Sequence, residues 1–287
     1  MVENFTLKRV MTLITSLCLS CFMLFSFSGC NIIKRQYSQD LIDAIKANDM
    51  DTLAQLISEK GDIDAKPYTK YSVDVANHTP LSVAAYEGNF MAVKMLVEAG
   101  ADVNIAGSNG WTALHMAISS SQHKENFEIA EYLIENGADI HAKDNGGDAA
   151  INAMLNANVE DSARLPFFLY LLEQGATLQE SESGHVLFDA CYNDSNLAII
   201  EYVFEHNDMD INMRSNYKNQ TLLMQTMYRG ADEVCQFLLQ KGADSYLMNS
   251  DGRTAYDMAI EAYELAVESG NNERMESFQR IIELLED

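Results

Sequence analysis

The sequence has few basic residues, few prolines and few cysteines, and each shortage narrows the possible functions. Lysine and arginine total 19 against 43 aspartates and glutamates, which gives 287 residues a net charge of −24. This balance opposes nucleic-acid binding and electrostatic docking on membranes, because phosphate backbones and anionic lipids both require a cationic face. Three prolines are too few for a disordered or polyproline-rich chain, and a hydrophobic share of 47% is normal for a globular protein.

Only two of the five cysteines, Cys191 and Cys235, lie beyond residue 30. An exported protein of this size with two cysteines is not a disulfide scaffold. Both cysteines occupy apolar positions of a helical pattern, which favours buried thiols over a bridge between them.

The common motifs of catalysis and metal binding are also missing. The sequence has no G-x-S-x-G nucleophile elbow, no phosphate-binding glycine loop and no H-E-x-x-H. The six histidines never form a close pair on one helix face, so we expect no zinc site. These absences predict a protein without catalytic residues, metal or cofactor.

The first thirty residues have the pattern of an export signal. Lys8 and Arg9 precede an uncharged apolar run over residues 10–27, which is followed by Ser28, Gly29 and Cys30. A basic start, an apolar middle and small residues before a cut are typical of signal peptides. The alternative is an uncleaved signal anchor, because 18 apolar residues can just span a bilayer.

The end of this run resembles the lipobox of bacterial lipoproteins, although Phe27 stands where leucine is usual. The resemblance implies a lipoprotein signal peptide over residues 1–29 and lipidation of Cys30, with a polar tether over residues 30–39. Asn31 follows Cys30, and an aspartate is absent there. In a two-membrane bacterium this is similar to lipoproteins of the outer membrane that face the periplasm. In a one-membrane cell the expected location is the exterior of the cell membrane.

From about residue 40 the sequence repeats itself. The first large apolar residues of successive helix-starting segments are Leu41, Leu81, Leu114, Ile151, Phe188, Leu223 and Tyr256. Their spacing is 33 residues at its shortest and 40 at its longest. A period near 33 residues is typical of ankyrin arrays.

Short motifs in register support the period. Residues 79–85 (TPLSVAA), 109–117 (NGWTALHMA) and 251–259 (DGRTAYDMA) resemble the T-P-L-H-x-A-A start of an ankyrin repeat. Residues 98–104 (EAGADVN), 135–141 (ENGADIH) and 240–244 (QKGAD) resemble its end. The resemblance implies an all-α ankyrin-repeat solenoid over residues 40–287, with about seven helix-turn-helix repeats and protruding fingers.

Elementary chemistry explains parts of this unit. Thr79 can cap a helix N-terminus, and Pro80 fits the first helical position, where its missing N–H costs nothing. Gly100 can take the left-handed conformation that ends a helix. Pro166 is predicted to begin a helix in the same way. One helix pair cannot bury its apolar face alone, so the array needs stacking for stability.

The resemblance also implies which side chains contact a partner. The predicted fingertip positions are His78, Trp111, Asp148, His185, Gln220 and Arg253, and the predicted positions on the inner helix face are Tyr86, Glu87, Asp194, Tyr228 and Arg229. Trp111 is the only tryptophan, a residue type enriched in binding hot spots. The alternative for Trp111 is packing on a neighbouring finger. His115 is expected to be structural and to form hydrogen bonds across repeats.

These features favour a binding scaffold: a lipid-anchored ankyrin array on the extracytoplasmic side that binds another protein. The negative charge would steer a basic partner. An immunity-type inhibitor of a basic toxin is the specific version, and a structural or assembly factor for an envelope complex is the alternative. We expect no nucleic acid and no small-molecule substrate, and membrane contact only through the lipid.

Overall fold

A computed structural model describes residues 36–67, 77–107, 109–120, 125–156, 161–179 and 185–286. The predicted signal peptide, Cys30 and the first part of the predicted tether lie outside the described residues. Within these ranges no helix has both the length and the apolar character needed to cross a bilayer.

The described chain forms fourteen α-helices in seven consecutive pairs. In chain order these are α1 (36–46), α2 (Met50–Ser58), α3 (Pro80–Tyr86), α4 (Phe90–Glu98), α5 (Ala113–Ser119), α6 (Glu125–Glu135), α7 (Ala150–Leu155), α8 (Asp161–Glu173), α9 (Val186–Ala190), α10 (Leu197–His206), α11 (Leu222–Gln225), α12 (Asp232–Gln240), α13 (Ala255–Ser269) and α14 (Asn272–Glu286). Short 3₁₀ turns, Asp194–Asn196 and Thr226–Tyr228, follow α9 and α11. A single isolated β-bridge, between Arg214 and Thr221, occurs in the described parts of the chain.

Each helix pair packs on the next pair along the chain. The first helices α3, α5, α7, α9, α11 and α13 contact one another in a row, and the second helices form a row behind them. One continuous apolar core runs from Leu41 to Ile281. This arrangement confirms the all-α solenoid of about seven repeats.

The predicted caps are present. Thr79 Oγ1 accepts a hydrogen bond of 3.2 Å from the backbone N–H of Ser82, and Pro80 is the first residue of α3. Gly100 follows α4 with φ of 92°, the left-handed conformation that glycine adopts without strain. Local sequence therefore determines where these helices begin and end.

The prediction that Pro166 begins a helix is wrong. Helix α8 starts at Asp161 and runs through Pro166, which is its sixth residue. The backbone hydrogen bond lost at the proline is offset by packing on both sides of the helix: Phe168 is fully buried, and the Phe167 ring stacks on Phe127 of α6 with centroids 4.0 Å apart. Tertiary contacts override the local preference here.

Cys191 and Cys235 are buried free thiols, as predicted. Burial raises the pKa of both, that of Cys235 to about 12, so neither is a thiolate at neutral pH. The last pair, α13 and α14, ends the stack. Phe278 and Ile281 of α14 face the core and are fully buried.

Candidate protein-binding surface

The fingers and the first helices form one side of the array, which we call the finger side. In two adjacent repeats, side chains spaced four residues apart lie along this side. These are Trp111, His115 and Ser119 in one repeat and Asp148, Asn152 and Asn156 in the next. Residues four apart share one face of a helix, so each set forms a ridge that starts in the finger and continues along the first helix.

The two ridges enclose a hollow of about 310 Å³. We call it the Trp111 hollow, and it is lined by Trp111, His115, Ser119, Asp144, Asp148, Ala149, Asn152, Ala153 and Asn156. Asn156 is exposed and Ser119 is partly exposed, so the hollow opens to solvent between the two repeats.

Trp111 is half-buried and packs on the neighbouring finger, the second of the two alternatives for this residue. Its Nε1–H donates a hydrogen bond of 2.9 Å to Asp144 Oδ2. Within its own repeat the Trp111 ring lies near that of His115 of α5, with centroids 6.4 Å apart and an interplanar angle of 24°. Because the indole N–H is already satisfied, what Trp111 can offer a ligand in the hollow is contact with its ring.

Asp144 organises the finger next to Trp111. Its Oδ1 accepts hydrogen bonds from the backbone N–H groups of Gly146, at 2.8 Å, and Asp148, at 3.0 Å. With the Trp111 indole, the hydrogen-bond donors recorded for this carboxylate are all uncharged. Asp144 therefore holds the fingertip in shape, and these hydrogen bonds bring no positive charge to its carboxylate.

His115 is structural, as predicted. It is buried, its Nδ1 lies 3.0 Å from Thr112 Oγ1, and its Nε2 lies 3.4 Å from the backbone oxygen of Asp148 in the next repeat. Burial lowers the pKa of His115, although nearby Asp144 and Asp148 oppose the shift. The ring is therefore neutral at neutral pH.

Asn152 lies in the wall of the hollow and is only 2% exposed. Its Nδ2 donates a hydrogen bond of 2.6 Å to Asp189 Oδ2 in the next repeat. A carboxylate can only accept, so this contact fixes the orientation of the amide. Among the described residues, Asn152 Oδ1 has no hydrogen-bond partner.

A second surface occurs on the finger side of the last two repeats. We call it the Tyr228 patch; it surrounds a hollow of about 240 Å³ lined by Met227, Tyr228, Arg253, Met258, Glu261, Ala262, Leu265 and Arg274. Tyr228 is 42% exposed and Leu265 is 59% exposed. Arg253 pairs with Glu261 and lies 3.6 Å from Asp251, while Arg274 Nη2 donates to the Tyr228 backbone oxygen at 2.9 Å. The patch is apolar at its centre and lined by both arginines.

Three predicted fingertip residues are not on the surface. His78, His185 and Gln220 are buried, with exposed fractions of 5%, 3% and 1%, so the expected solvent exposure of these side chains is wrong. Each precedes the start of a first helix, a position from which a side chain often packs back onto its own helix. The prediction that these residues lie on the surface did not take this side-chain direction into account.

Each of the three has an interior role. His78 lies directly against Gly107 of the next finger, where an added Cβ would fall 2.3 Å from its Nδ1. His185 Nδ1 accepts a hydrogen bond of 3.1 Å from the N–H of Leu187, and burial lowers its pKa to about 4. Gln220 Nε2 donates a hydrogen bond of 2.8 Å to Tyr228 Oη, which positions that tyrosine.

The remaining predicted residues lie at the ends of first helices, away from the fingers. Tyr86 is 48% exposed, and Glu87 is exposed with its carboxylate 4.0 Å from Lys46 Nζ. Arg229 is exposed. These three stay candidates for partner contact.

Asp194 has a structural role in addition. It is half-buried, and its Oδ1 accepts a hydrogen bond of 2.9 Å from the N–H of Val234 at the start of α12. Burial raises the pKa of Asp194 to about 6, and repulsion from Asp232 and Glu233 acts in the same direction. The hydrogen bond from the N–H of Val234 opposes this shift.

Sequence reasoning missed Asp144, Asn152, Leu265 and Arg274. Asn152 left a readable signal, because it is a polar residue inside the apolar segment Ala150–Leu155. Asp144 left only the signal of a fingertip turn over residues 144–148, and the roles of Leu265 and Arg274 depend on how neighbouring repeats pack.

Comparisons with known proteins agree with this geometry. The family model for ankyrin repeats (3 copies) matches residues 41–144 and 187–271, well over half of the sequence. The chain belongs to the ankyrin-repeat family. The ankyrin array also resembles the crystal structure of the ankyrin repeat domain of Bcl-3, with a TM-score of 0.58 and 21% identity over 86% of this chain and 98% of that one. At this identity the similarity shows the fold alone.

Curated ankyrin relatives match only short stretches. The probable palmitoyltransferase AKR2 of Saccharomyces uvarum is 41% identical over 56 residues, 20% of this chain and 7% of that protein. The Notch-regulated ankyrin repeat-containing proteins of Xenopus tropicalis and Homo sapiens are each 46% identical over 39 residues, 14% of this chain and 34% of theirs. The ankyrin array thus spans about a third or less of the length of these relatives.

Proposed function

We propose that this ankyrin array is a protein-binding scaffold that holds a basic protein on its finger side. In the full proposal the chain is anchored by lipid at Cys30 on the extracytoplasmic side of a bacterial membrane, and its partner is an incoming basic toxin that it inhibits. No catalytic residue is part of the proposal. Stacked repeats provide an extended surface for a macromolecular partner and no deep cleft for a small substrate.

The observation that carries the proposal is the exposed composition of the finger side. The Trp111 hollow and the Tyr228 patch present tryptophan, tyrosine and arginine, the residue types that dominate binding hot spots. The net charge of −24 favours fast, salt-sensitive association with a cationic protein.

The test isolates partners of the full chain as its own cells produce it. We expect a basic protein to co-purify, and raising the salt from about 0.1 M to about 1 M should release it, because the Debye length falls from about 10 Å to about 3 Å. Trp111→Ala and Tyr228→Ala should each reduce its recovery. Met91→Ala is the matched control, since Met91 is 57% exposed but lies on the second helix α4. Recovery unaffected by both finger-side variants would contradict the proposal.

Two further measurements test the finer parts. Cys30→Ala should move the protein from the membrane fraction to the soluble fraction if lipid is the anchor. Producing the purified partner in the cell envelope without this chain should stop growth if the chain is an inhibitor. A harmless partner that is always present would instead support the structural or assembly role.

A further inference from the structure

The wall of the Trp111 hollow contains an acceptor that lacks a donor. Asn152 is only 2% exposed, and its Oδ1 has no hydrogen-bond partner among the described residues. The amide cannot turn to correct this, because Nδ2 must face the Asp189 carboxylate 2.6 Å away. A buried unpaired acceptor destabilises the folded chain, so a ligand that donates a hydrogen bond to Oδ1 would gain that free energy on binding.

No lysine or arginine is among the described residues that line the hollow. Asp144 and Asp148 both line the hollow, and the donors that hold Asp144 are uncharged N–H groups. The one histidine of the lining, His115, is neutral at neutral pH because burial lowers its pKa. A cation is therefore the complementary ligand.

The volume of the hollow and the Trp111 ring indicate which kind of cation fits it. The hollow has a volume of about 310 Å³, against about 30 Å³ for one water molecule, so it can receive a long side chain. The Trp111 indole, whose N–H is occupied, presents ring surface to the occupant. A guanidinium combines a positive charge, several N–H donors and a flat face that stacks on aromatic rings.

We infer that the Trp111 hollow binds the guanidinium of an arginine side chain on the partner protein. In this arrangement an N–H of the guanidinium donates to Asn152 Oδ1, the carboxylates of Asp144 and Asp148 balance its charge, and Trp111 packs against it. The inference rests on the proposed function and specifies the chemistry of the partner.

The single tryptophan makes the test direct. Trp111 fluorescence in the purified full chain reports on the hollow, and the probe is an octapeptide of alternating glycine and arginine. The comparison peptide has citrulline in place of arginine, which keeps the planar shape and some of the N–H donors but replaces one NH2 by a carbonyl oxygen and removes the charge. We expect a saturable change in fluorescence with the arginine peptide and at least about tenfold weaker binding of the citrulline peptide.

Three variants test whether the arginine peptide binds in the Trp111 hollow. Asp148→Asn removes one negative charge from the hollow, and Asn152→Ala removes the unpaired acceptor; each should weaken binding about tenfold. Glu98→Gln is the matched control, because it removes the same charge from an exposed position on α4 and should change affinity less than about twofold. Thermal unfolding of each variant verifies that it is folded.

The results can separate the inference from the proposed function. Equal binding of the two peptides, or equal effects of Asp148→Asn and Glu98→Gln, would overturn the arginine site. If partner recovery still depended on Tyr228, the scaffold function would stand without this site. If recovery depended on neither finger-side residue, the scaffold function itself would be wrong, whatever the peptides show.

Discussion

The Trp111 hollow and the Tyr228 patch occupy corresponding places in the array but balance their charges differently. In the hollow, Asp144 is held by the indole and two backbone N–H groups, so its charge is not neutralised by its hydrogen bonds. In the patch, Arg253 pairs with Glu261 and Asp251. The hollow therefore combines carboxylates with an aromatic ring, whereas the patch combines an ion pair, Arg274 and exposed apolar area.

The difference shows that similar repeats can serve different purposes on the same side of one array. The hollow is suited to recognition of charge, and the patch is suited to burial of apolar surface. Arg274 and Arg280 near the patch also tie α14 to the preceding repeat: Arg274 donates to the Tyr228 backbone, and Arg280 Nε lies 2.7 Å from Asp232 Oδ2. Much of the positive charge in the last repeats therefore contributes to stability.

The largest expected effect concerns the end of the stack. Phe278→Ala empties a fully buried position of α14 and should destabilise the last repeats by about 4 kcal/mol. Circular dichroism during urea unfolding should then show an early transition that Trp111 fluorescence does not, because Trp111 lies four repeats away and contacts in the array are local. Transitions that still coincide would mean that hollow and patch unfold as one unit.

A buried arginine joins the fourth repeat to the fifth, between the hollow and the patch. Arg164 of α8 is 3% exposed, and its Nη1 lies 3.4 Å from the backbone oxygens of Met154 and Leu155 and 3.3 Å from Asn196 Oδ1. Arg164→Met should cost about 3 kcal/mol, because the Met154 oxygen and Asn196 Oδ1 lose this donor; the Leu155 oxygen keeps its hydrogen bond from Asn196 Nδ2. Urea unfolding should show separate transitions for the two halves. Arg229→Met, at an exposed site, is the control and should leave the midpoint unchanged.

A smaller effect is pH-dependent. Because the folded pKa of Asp194, about 6, lies above the value near 4 for an unfolded chain, the folded state binds the proton more tightly, and the stability contributed by protonation is lost as pH rises from about 4 to about 6. Asp194→Asn should therefore stabilise the protein at pH 7.5 by about 1 kcal/mol, after discounting for partial exposure, and by nothing below pH 4. Unfolding at both pH values measures this. An equal gain at both would contradict the pKa shift.

The smallest expected effect concerns the Arg253–Glu261 ion pair of the Tyr228 patch. Arg253→Gln removes an exposed ion pair and should change the free energy of unfolding by less than about 0.5 kcal/mol. It should also leave the affinity of the Trp111 hollow for the arginine peptide within twofold, since the two surfaces are separate. A marked change in that affinity would show that the peptide binds both surfaces.

The sequence was sufficient for the architecture because the repeat motifs are local. Thr79 with Pro80 and Gly100 specify helix ends without help from distant residues, and the period specifies which helices stack. Pro166 shows the limit of local rules: packing around Phe167 and Phe168 extends α8 through it.

The site was predictable only in part. Position within the repeat selected Trp111 and Asp148, which line one hollow, yet it gave no direction for side chains that precede a helix start. His78, His185 and Gln220 point inward because each finds a contact or a hydrogen bond there. The importance of Asn152 depends on Asp189 in the next repeat, which no pattern within one repeat can reveal.

Adjacent fingertips are joined through their main chains at both surfaces. The N–H of Asn145 donates to the backbone oxygen of Asn109, and the N–H of Ser250 donates to that of Lys218, each at 2.9 Å. Since these bonds do not involve side chains, the identity of an outward-facing fingertip residue can change while the hydrogen bonds that hold its main chain stay the same. The main chain of these fingertips is thus held in place while their outward-facing side chains can be exchanged. Such an array is suited to following a partner that changes its own surface and to redesign against a new partner.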